Sequence, residues 1–366
     1  MMVQRAVIVG GVWLGVAAVG CGPAAPPLEA KGGVPTASAK APPVASVVPV
    51  ASVSAGPAET AEVVAEPAPP VPPPVPPPDA EVPFERTKAE GDGKWSVYIG
   101  AGEGEPGLMY KTTVHPHPVN GFVYAAVVAI DLTRTEVRLV AGTDEPESKT
   151  FPKERRTGLV PKERVDDVLV VMNGGFMAKH GKYSMMLDGE EMFEPREDAC
   201  AVARRKDGSM WIAPWIEMKG KNAELEYYRQ TPHCLIDKGV MHPDLDSEYK
   251  RRHWGGQDNG RKDTRRSAVG LSADGKILFY ALGEWVFPKD IALVMKSVGA
   301  VSAAQLDINW SYTRFLRMGR PSPGDAVQVV STLVPKIEHS KKGYVEKAAT
   351  RDFFYVVPKK KAEAAP

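Results

Sequence analysis

Three short segments of this 366-residue chain carry the residue types best suited to chemistry. Each follows or opens an apolar run, and together they supply an amide, a guanidinium and a carboxylate: Asn173-Gly174-Gly175-Phe176, Arg265-Arg266-Ser267, and LDINWS at 306–311. A carboxylate can stabilise or attack the positive charge that develops at the anomeric carbon of a sugar. A guanidinium matches the geometry of a phosphate through two parallel hydrogen bonds. Taken singly, each segment also fits a plain turn, a solvated face or a helix cap.

This chemistry gives each polar residue a role that a structure can test. Asp307 is the candidate catalytic carboxylate, and Arg266 is the candidate phosphate clamp, with Arg265 as a supporting charge. The Asn173 amide could hydrogen-bond a polar ligand, and the family resemblance described below implies sugar hydroxyls or an N-acetyl group. Glu284, which follows the apolar run ILFYALG, is a candidate second carboxylate.

Other titratable residues are weaker candidates. His180 and His253 could serve as general acid or base, although a lone histidine is more often incidental. The sequence contains no cysteine or histidine spacing typical of a zinc site. We therefore expect no evident cofactor, while carboxylates such as Asp188 could join a divalent-cation site.

The elements that must position these residues are mostly strands. Residues 168–172 form a short apolar run rich in branched side chains, which favours a buried strand ending at Asn173. The two glycines that follow permit close approach of the backbone to another group. Residues 121–142 predict two more strands separated by a turn.

Repeated hairpins indicate an antiparallel arrangement. Asp188-Gly189, Asp207-Gly208 and Asp274-Gly275 each stand between apolar runs, as hairpin turns do. The apolar spacing then becomes helical, with Pro288 near the start and Gly299 just past the end. A strand that ends at the acid of LDINWS follows. We expect an α+β fold in which a largely antiparallel mixed sheet is packed with helices.

The N-terminus predicts export and lipidation. Arg5 precedes an apolar run at 6–19, and a small residue stands directly before Cys21. This pattern is typical of a bacterial lipoprotein signal, and the run is short for a permanent transmembrane helix. We interpret residues 1–20 as a signal peptide and Cys21 as the lipid anchor; an ordinary secretory signal is the alternative. The anchor would hold the protein in the cell envelope, at the outer membrane or facing the periplasm.

Composition divides the rest of the chain into a tether, a domain and a tail. Residues 21–83 hold more than half of the 34 prolines, which predicts a disordered, extended tether. Residues 84–358 suffice for one large domain, and 359–366 predict a disordered tail. The formal net charge of +1 gives no reason to expect nucleic acid as a partner, and the membrane would be contacted through the lipid anchor only. Cys200 and Cys234 remain as an even pair, either in a disulfide or as buried thiols.

Together and in this order, the motifs resemble the phosphodiester glycosidase family over residues 121–357. VMNGGFM, MMLDGEEM, TPHCLIDKGVMHP, RRSAVGLSADGKILF and DIALVMKSVGAVSAAQLD correspond to successive elements of the family pattern. The resemblance implies a phosphodiester-glycosidase-like domain that hydrolyses a sugar-1-phosphodiester bond in a surface or wall glycan. It implies a catalytic role for Asp307, Arg266 and Asn173. The residues expected at the substrate are Gly174, Gly175, Phe176, Arg265, Ser267, Asn309, Trp310, Ser311 and Glu284.

One departure from the family pattern leaves the activity open. Where the family carries glycines after its aspartate, this chain has Ile308, Asn309 and Trp310. Trp310 could be a sugar-stacking platform or could pack in the core. The alternative function is therefore a catalytically inactive carbohydrate-binding lipoprotein of the same fold. A structural envelope protein is a third reading, and it predicts no concave polar site around these motifs.

Overall fold

Runs of Val, Ile and aromatic residues, broken by glycine turns, form strands along most of the chain. The computed structural model describes residues 76–256 and 263–360. Within them the strands are β1 (Ser96–Ile99), β2 (Met109–Val114), β3 (Tyr124–Asp131), β4 (Thr135–Val140), β5 (Val170–Asn173), β6 (Met185–Leu187), β7 (Glu190–Glu191), β8 (Cys200–Arg205), β9 (Met210–Pro214), β10 (Leu225–Thr231), β11 (Ile236–Asp237), β12 (Val240–Met241), β13 (Thr264–Leu271), β14 (Ile277–Val286), β15 (Ser302–Ile308), β16 (Phe315–Gly319), β17 (Gln328–Thr332) and β18 (Phe353–Pro358). The α-helices are α1 (Trp215–Met218) and α2 (Pro288–Ser297). Short 3-10 helices cover Glu85–Thr87, Lys153–Arg155, Lys162–Asp167, Ala178–His180, Asn222–Glu224, Pro243–Asp246 and Lys250–Trp254.

The strands form three antiparallel sheets in the described part of the chain. The large sheet has the order β1-β2-β3-β14-β13-β15-β11-β12. The second sheet has the order β17-β16-β5-β18-β4, and the third has the order β7-β6-β10-β8-β9. All of their paired strands run antiparallel. The largely antiparallel architecture expected from the sequence is confirmed, but it is distributed over three sheets.

The three Asp-Gly turns lie where the sequence places them. They join β6 to β7, β8 to β9 and β13 to β14. In the first of them Asp188 and Gly189 both have positive φ, at 50° and 83°. This is the backbone conformation of a two-residue hairpin turn, which explains why glycine stands there.

Helices contribute less than expected. Among the described residues α2 is the one α-helix longer than a single turn, with Pro288 at its start and Gly299, at φ 90°, just past its end. It packs against β13 and β14. Elsewhere the sheets cover one another, since one apolar cluster combines Val128 of β3, Val171 of β5 and Val202 of β8. A sheet packed with helices is therefore an overstatement, because the sheets bury each other's apolar faces.

A disulfide joins Cys200 to Cys234, and both residues are buried. Cys200 opens β8 of the third sheet, and Cys234 lies two residues before β11 of the large sheet. Because β11 pairs with β15, this bond links the third sheet to the strand that carries Asp307.

Part of the organisation predicted for the two ends of the chain lies outside the described residues. This holds for the signal peptide, for Cys21, for the tether up to residue 75 and for residues 361–366 of the tail. The last tether residues bond to the domain: Ala80 N donates to the Gly93 carbonyl and Trp95 Nε1 to the Pro78 carbonyl, each at 2.9 Å. No helix of the described ranges has the length and apolar character needed to cross a membrane.

Candidate active site

The three sequence motifs converge where the end of β5 meets β13 and β15. Asp307 N donates to the Gly174 carbonyl at 3.1 Å. Asn173 Nδ2 donates to Ser267 Oγ at 2.9 Å, and that hydroxyl donates to the Asp307 carbonyl at 2.9 Å. Residues more than 90 positions apart in sequence are thus hydrogen-bonded to one another.

Asn173 has no unused hydrogen-bonding group at this junction. Its Nδ2 also donates to the Gly174 carbonyl at 3.0 Å, and its Oδ1 accepts from Tyr280 Oη at 2.9 Å and from Arg314 N at 3.0 Å. The side chain is fully buried. The structure therefore contradicts the expected role in binding sugar hydroxyls, because protein groups occupy both ends of the amide. Asn173 instead fixes the end of β5 against its neighbours.

Arg266 points into the protein interior. Successive strand residues face opposite sides of a sheet, so Arg266 faces away from Arg265 and Ser267. It is fully buried and donates to protein oxygens: Nε to Val286 O at 3.1 Å, Nη1 to Trp254 O at 2.7 Å and Gln305 Oε1 at 3.0 Å, and Nη2 to Gly255 O at 2.9 Å. Burial lowers the pKa of this guanidinium to about 9. The expectation that Arg266 clamps a phosphate is wrong, because its donors are already engaged.

The two glycines after β5 make room for a buried ion pair. A Cβ at Gly174 would lie 2.0 Å from Asp352 Oδ2, and a Cβ at Gly175 would lie 2.7 Å from Arg229 Cζ. Arg229 Nε donates to Asp352 Oδ2 at 2.8 Å, and Gly175 N donates to the same oxygen at 2.9 Å. The close backbone approach expected from the sequence occurs, but the group approached is this ion pair. Substrate contact through Gly174 or Gly175 is not supported.

Asp307 is the predicted catalytic residue whose environment favours chemistry. Its side chain is 3% exposed, Oδ1 accepts from Ile308 N at 2.8 Å, and Oδ2 forms an ion pair with Arg351. Burial raises the pKa of the Asp307 carboxyl to about 7, and the negative charge of Asp352 adds to the rise. Arg351 and the Ile308 amide act in the opposite direction. A carboxyl that titrates near neutrality can hold or release a proton at physiological pH.

Sequence reasoning missed three charged residues around Asp307. Arg351 and Asp352 stand directly before β18, and Arg229 lies within β10 of the third sheet. Arg351 and Asp352 could have been found by the same pattern as Asp307, because they are polar residues that adjoin an apolar strand, FFYVV. Arg229 gave no such signal, because it stands inside a strand between ordinary strand residues.

Four of the predicted substrate residues line an open cleft of about 630 Å³. They are Arg265, Glu284, Trp310 and Ser311, and the other lining residues are Tyr124, Trp285, Pro335, Lys336 and Glu338. Arg265 forms an ion pair with Glu284, and its guanidinium lies 4.5 Å from the centre of the Trp310 ring. The Trp285 and Trp310 ring centroids are 4.5 Å apart. Trp310 therefore borders a cleft and does not belong to the core.

The residues that replace the family's glycines have separate positions. Ile308 is buried with Phe176 in a small apolar cluster, so neither side chain is placed for substrate contact. Asn309 has φ 98°, a backbone conformation that favours glycine, and its Oδ1 accepts from Ser311 N and Ser311 Oγ at 3.2 and 2.9 Å. The turn therefore keeps a glycine-like backbone while Trp310 adds a ring to the cleft.

The weaker candidates lie outside this arrangement. Asp188 pairs with Arg155 at 2.9 Å, and His253 lies beside His233, with ring centroids 5.2 Å apart. His180 is an exposed residue at the end of a 3-10 helix. Among the described residues, no group of three or more His, Cys, Asp or Glu side chains is placed to hold a metal ion.

Several solved structures are similar to this chain, and three of them are described here. The zebrafish N-acetylglucosamine-1-phosphodiester alpha-N-acetylglucosaminidase catalytic domain, auto-inhibited by its pro-peptide, is 13% identical with a TM-score of 0.43, over 73% of this chain and 88% of that one. A hypothetical protein from Synechocystis is 11% identical with a TM-score of 0.41, over 69% of this chain and 62% of that one. A protein from Burkholderia pseudomallei that is described as exported is 12% identical with a TM-score of 0.39, over 64% of this chain and 74% of that one.

Comparison at the level of families agrees with the motifs. A search of curated proteins returned no match. The phosphodiester glycosidase family model matches residues 166–321, a range that contains Asn173, Arg266 and Asp307. The resemblance found in the sequence is thereby confirmed over residues 166–321, which are similar to the phosphodiester glycosidase family.

Proposed function

We propose that this domain hydrolyses a sugar-1-phosphodiester by cleaving the bond between the anomeric carbon and the phosphate oxygen. The observation that carries the proposal is the position of Asp307. Its buried carboxyl, with a pKa of about 7, stands at the end of β15, and the turn that follows contributes Trp310 and Ser311 to the open cleft. The family match to the same segment supports a glycosidase-type activity.

In this proposal the cleft binds the sugar, and the buried carboxyl of Asp307 acts on the anomeric carbon. Trp285 and Trp310 offer rings on which a sugar face can pack, and the Arg265–Glu284 ion pair offers hydrogen bonds to hydroxyl groups. Asp307 would stabilise or attack the positive charge that forms at the anomeric carbon. Water supplies the hydroxyl group to the sugar and its proton to the departing phosphate monoester, so that the reaction is a balanced hydrolysis.

A second candidate is a carbohydrate-binding protein without turnover. It is favoured by the replacement of the family's glycines by Ile308, Asn309 and Trp310, which changes the wall of the cleft. Such a binder would keep the aromatic rings and would not need the raised pKa of Asp307.

The test is turnover and binding measured together. Wild type, Asp307→Asn and Glu284→Gln are incubated with aryl-linked and phosphodiester-linked N-acetylglucosamine, and sugar binding is followed by calorimetry. We expect wild type to cleave the phosphodiester and Asp307→Asn to lose turnover about 100- to 10,000-fold while it still binds. Sugar binding without turnover in wild type would reject hydrolysis and favour the binder.

The proposed setting is the cell envelope, with a surface or wall glycan as the substrate. The lipoprotein-type N-terminus and the proline-rich segment support an exported domain held by acyl chains at Cys21. Labelling with a fatty acid, followed by membrane fractionation, tests this placement. Wild type should be labelled and sediment with membranes, and equal labelling of Cys21→Ser would contradict it.

A further inference from the structure

Arg351 has a position that the family match does not cover. It lies directly before β18, beyond the matched residues 166–321. Its guanidinium packs flat against Tyr312, 3.8 Å from the ring centre, and its Nη2 donates to the Gly175 carbonyl at 3.2 Å. The same nitrogen forms the ion pair with Asp307. Arg351 therefore contacts the proposed catalytic carboxyl and the end of the first motif.

Two polar atoms of this ion pair are left without a hydrogen bond. Arg351 Nε and Asp307 Oδ2 are both buried, and neither has a hydrogen-bond partner in the described part of the protein. The ion pair itself joins Arg351 Nη2 to Asp307 Oδ2, so Asp307 Oδ2 is charge-paired and the unused group is the Nε donor. A buried donor left unsatisfied costs about 1–3 kcal/mol, so an acceptor that reached Arg351 Nε would recover that cost.

Two nearby buried arginines show what a purely structural arginine looks like here. Arg266 donates through all three of its nitrogens to protein oxygens. Arg229 also donates through all three, to Asp352 and to backbone carbonyls. Arg351 by contrast keeps 11% of its side chain exposed and one donor unused. The Arg351 side chain is therefore partly accessible, and its guanidinium is less fully engaged by the protein than those of Arg229 and Arg266.

We propose that Arg351 binds the phosphate group of the substrate and so determines the preference for a phosphorylated sugar. This inference rests on the proposed function and assigns to Arg351 the role that the sequence suggested for Arg266. In the free protein Asp307 is the partner of the guanidinium. A bound phosphate oxygen competes for that guanidinium, because a planar guanidinium can donate to phosphate while its other edge keeps the Gly175 carbonyl.

The test compares a phosphorylated with a neutral ligand. N-acetylglucosamine 1-phosphate and N-acetylglucosamine are titrated calorimetrically into wild type, Arg351→Met and Arg351→Lys. We expect Arg351→Met to weaken binding of the phosphorylated sugar about 10- to 100-fold, the loss of one or two charge-assisted hydrogen bonds, and to leave the neutral sugar within about 2-fold. Arg351→Lys keeps the positive charge but not the paired donors of the guanidinium, so its affinity for the phosphorylated sugar should lie between those of wild type and Arg351→Met.

Arg314→Met is the matched control. The Arg314 guanidinium lies over the same Tyr312 ring, 5.1 Å from its centre, but it donates to the Tyr312 and Ser311 carbonyls and faces no carboxylate. This variant should keep the preference for the phosphorylated sugar. Thermal unfolding checks that each variant is folded. If Arg351→Met is unfolded, the comparison is made with Arg351→Lys.

Two outcomes would overturn the inference. One is equal affinity of wild type for the phosphorylated and the neutral sugar, and the other is an undiminished preference in the Arg351 variants. Failure of the proposed function is distinguishable, because it means that wild type cleaves no phosphodiester. Phosphate-dependent binding through Arg351 would then still stand as a binding site.

Discussion

Arg265 and Arg266 are neighbours in sequence, yet they belong to two different regions of the molecule. Arg266 and Asn173 lie on opposite faces of β13, but both belong to what we call the buried frame, the residues whose polar groups are occupied by protein partners. Arg265 lines the open cleft, and Asp307, which is paired with Arg351, lies three residues before the cleft residue Trp310. Apart from Arg351, these residues come from the same three sequence motifs. The difference teaches that residues of one motif, even neighbours in sequence, can be fully engaged by the protein or can line an open cleft, so membership of a motif does not by itself identify a candidate ligand-binding residue.

The largest expected effect concerns the frame. Arg266→Met would leave the carbonyls of Trp254, Gly255 and Val286 without their donor, and we expect the free energy of unfolding to fall by about 3–5 kcal/mol. Chemical denaturation measures the loss. Arg320→Met is the control, because Arg320 is 40% exposed and its removal should change stability by less than about 0.5 kcal/mol. If Arg266→Met instead kept the stability of wild type but lost phosphate binding, Arg266 would be a residue of the active site.

Asn173→Ala should have a somewhat smaller effect of the same kind. It removes the partners of Ser267 Oγ and Tyr280 Oη, and we expect a loss of about 2–4 kcal/mol in unfolding free energy. Sugar affinity, measured by calorimetry on the folded protein, should remain within about 2-fold of wild type. A large drop in affinity at unchanged stability would show that Asn173 contacts the ligand after all.

Asp307 should make stability depend on pH in a definite direction. Its pKa is raised from 3.8 to about 7 in the folded protein, so between these values the folded state binds more protons than the unfolded state. This contribution to stability is therefore complete below about pH 4 and is lost as the pH rises through about 7. Relative to Asp307→Asn, wild type should lose stability across this window, with a slope approaching about 1.4 kcal/mol per pH unit. Parallel denaturation curves for the two proteins at every pH would contradict this.

The smallest expected effect concerns the rim of the cleft. Trp310→Ala removes a half-buried ring, and we expect sugar affinity to fall about 5- to 10-fold while the turnover number changes little. The matched control is Trp211→Ala, since Trp211 also packs under a guanidinium, with Arg205 Cζ 4.1 Å from its ring centre, but lies in β9 of the third sheet. Equal losses of sugar affinity in the two variants would show that the cleft has no specific role in sugar binding.

Much of the fold followed from local patterns. The Asp-Gly turns, β5, β15 and α2 could be placed because each depends on neighbours in sequence: glycine at positive φ, a short branched run, or a helical repeat of apolar residues. The three-sheet arrangement could not be placed, since it depends on which apolar faces meet across the chain. β3 and β4 show this clearly, because consecutive strands belong to different sheets.

The site was predictable to a similar degree. The sequence located Asp307 and the cleft residues Arg265, Glu284 and Trp310, since each stands at or near the end of an apolar run. It could not tell Arg265 from Arg266, because the choice depends on which face of β13 meets the interior. Arg351 was missed because its contact with Asp307 spans 44 positions and belongs to no motif.

The pKa of Asp307 is the one measurement that tests the central claim most directly. Selective carbonyl labelling of aspartate and NMR titration, with Asp307→Asn used to assign the signal, would follow this carboxyl from pH 4 to 9. A titration near pH 7 that coincides with a limb of the pH profile for kcat/KM on the phosphodiester substrate is the predicted result. An Asp307 carboxyl that titrates near its ordinary value, or a rate profile that does not change where Asp307 titrates, would contradict a catalytic carboxyl with a raised pKa at this junction.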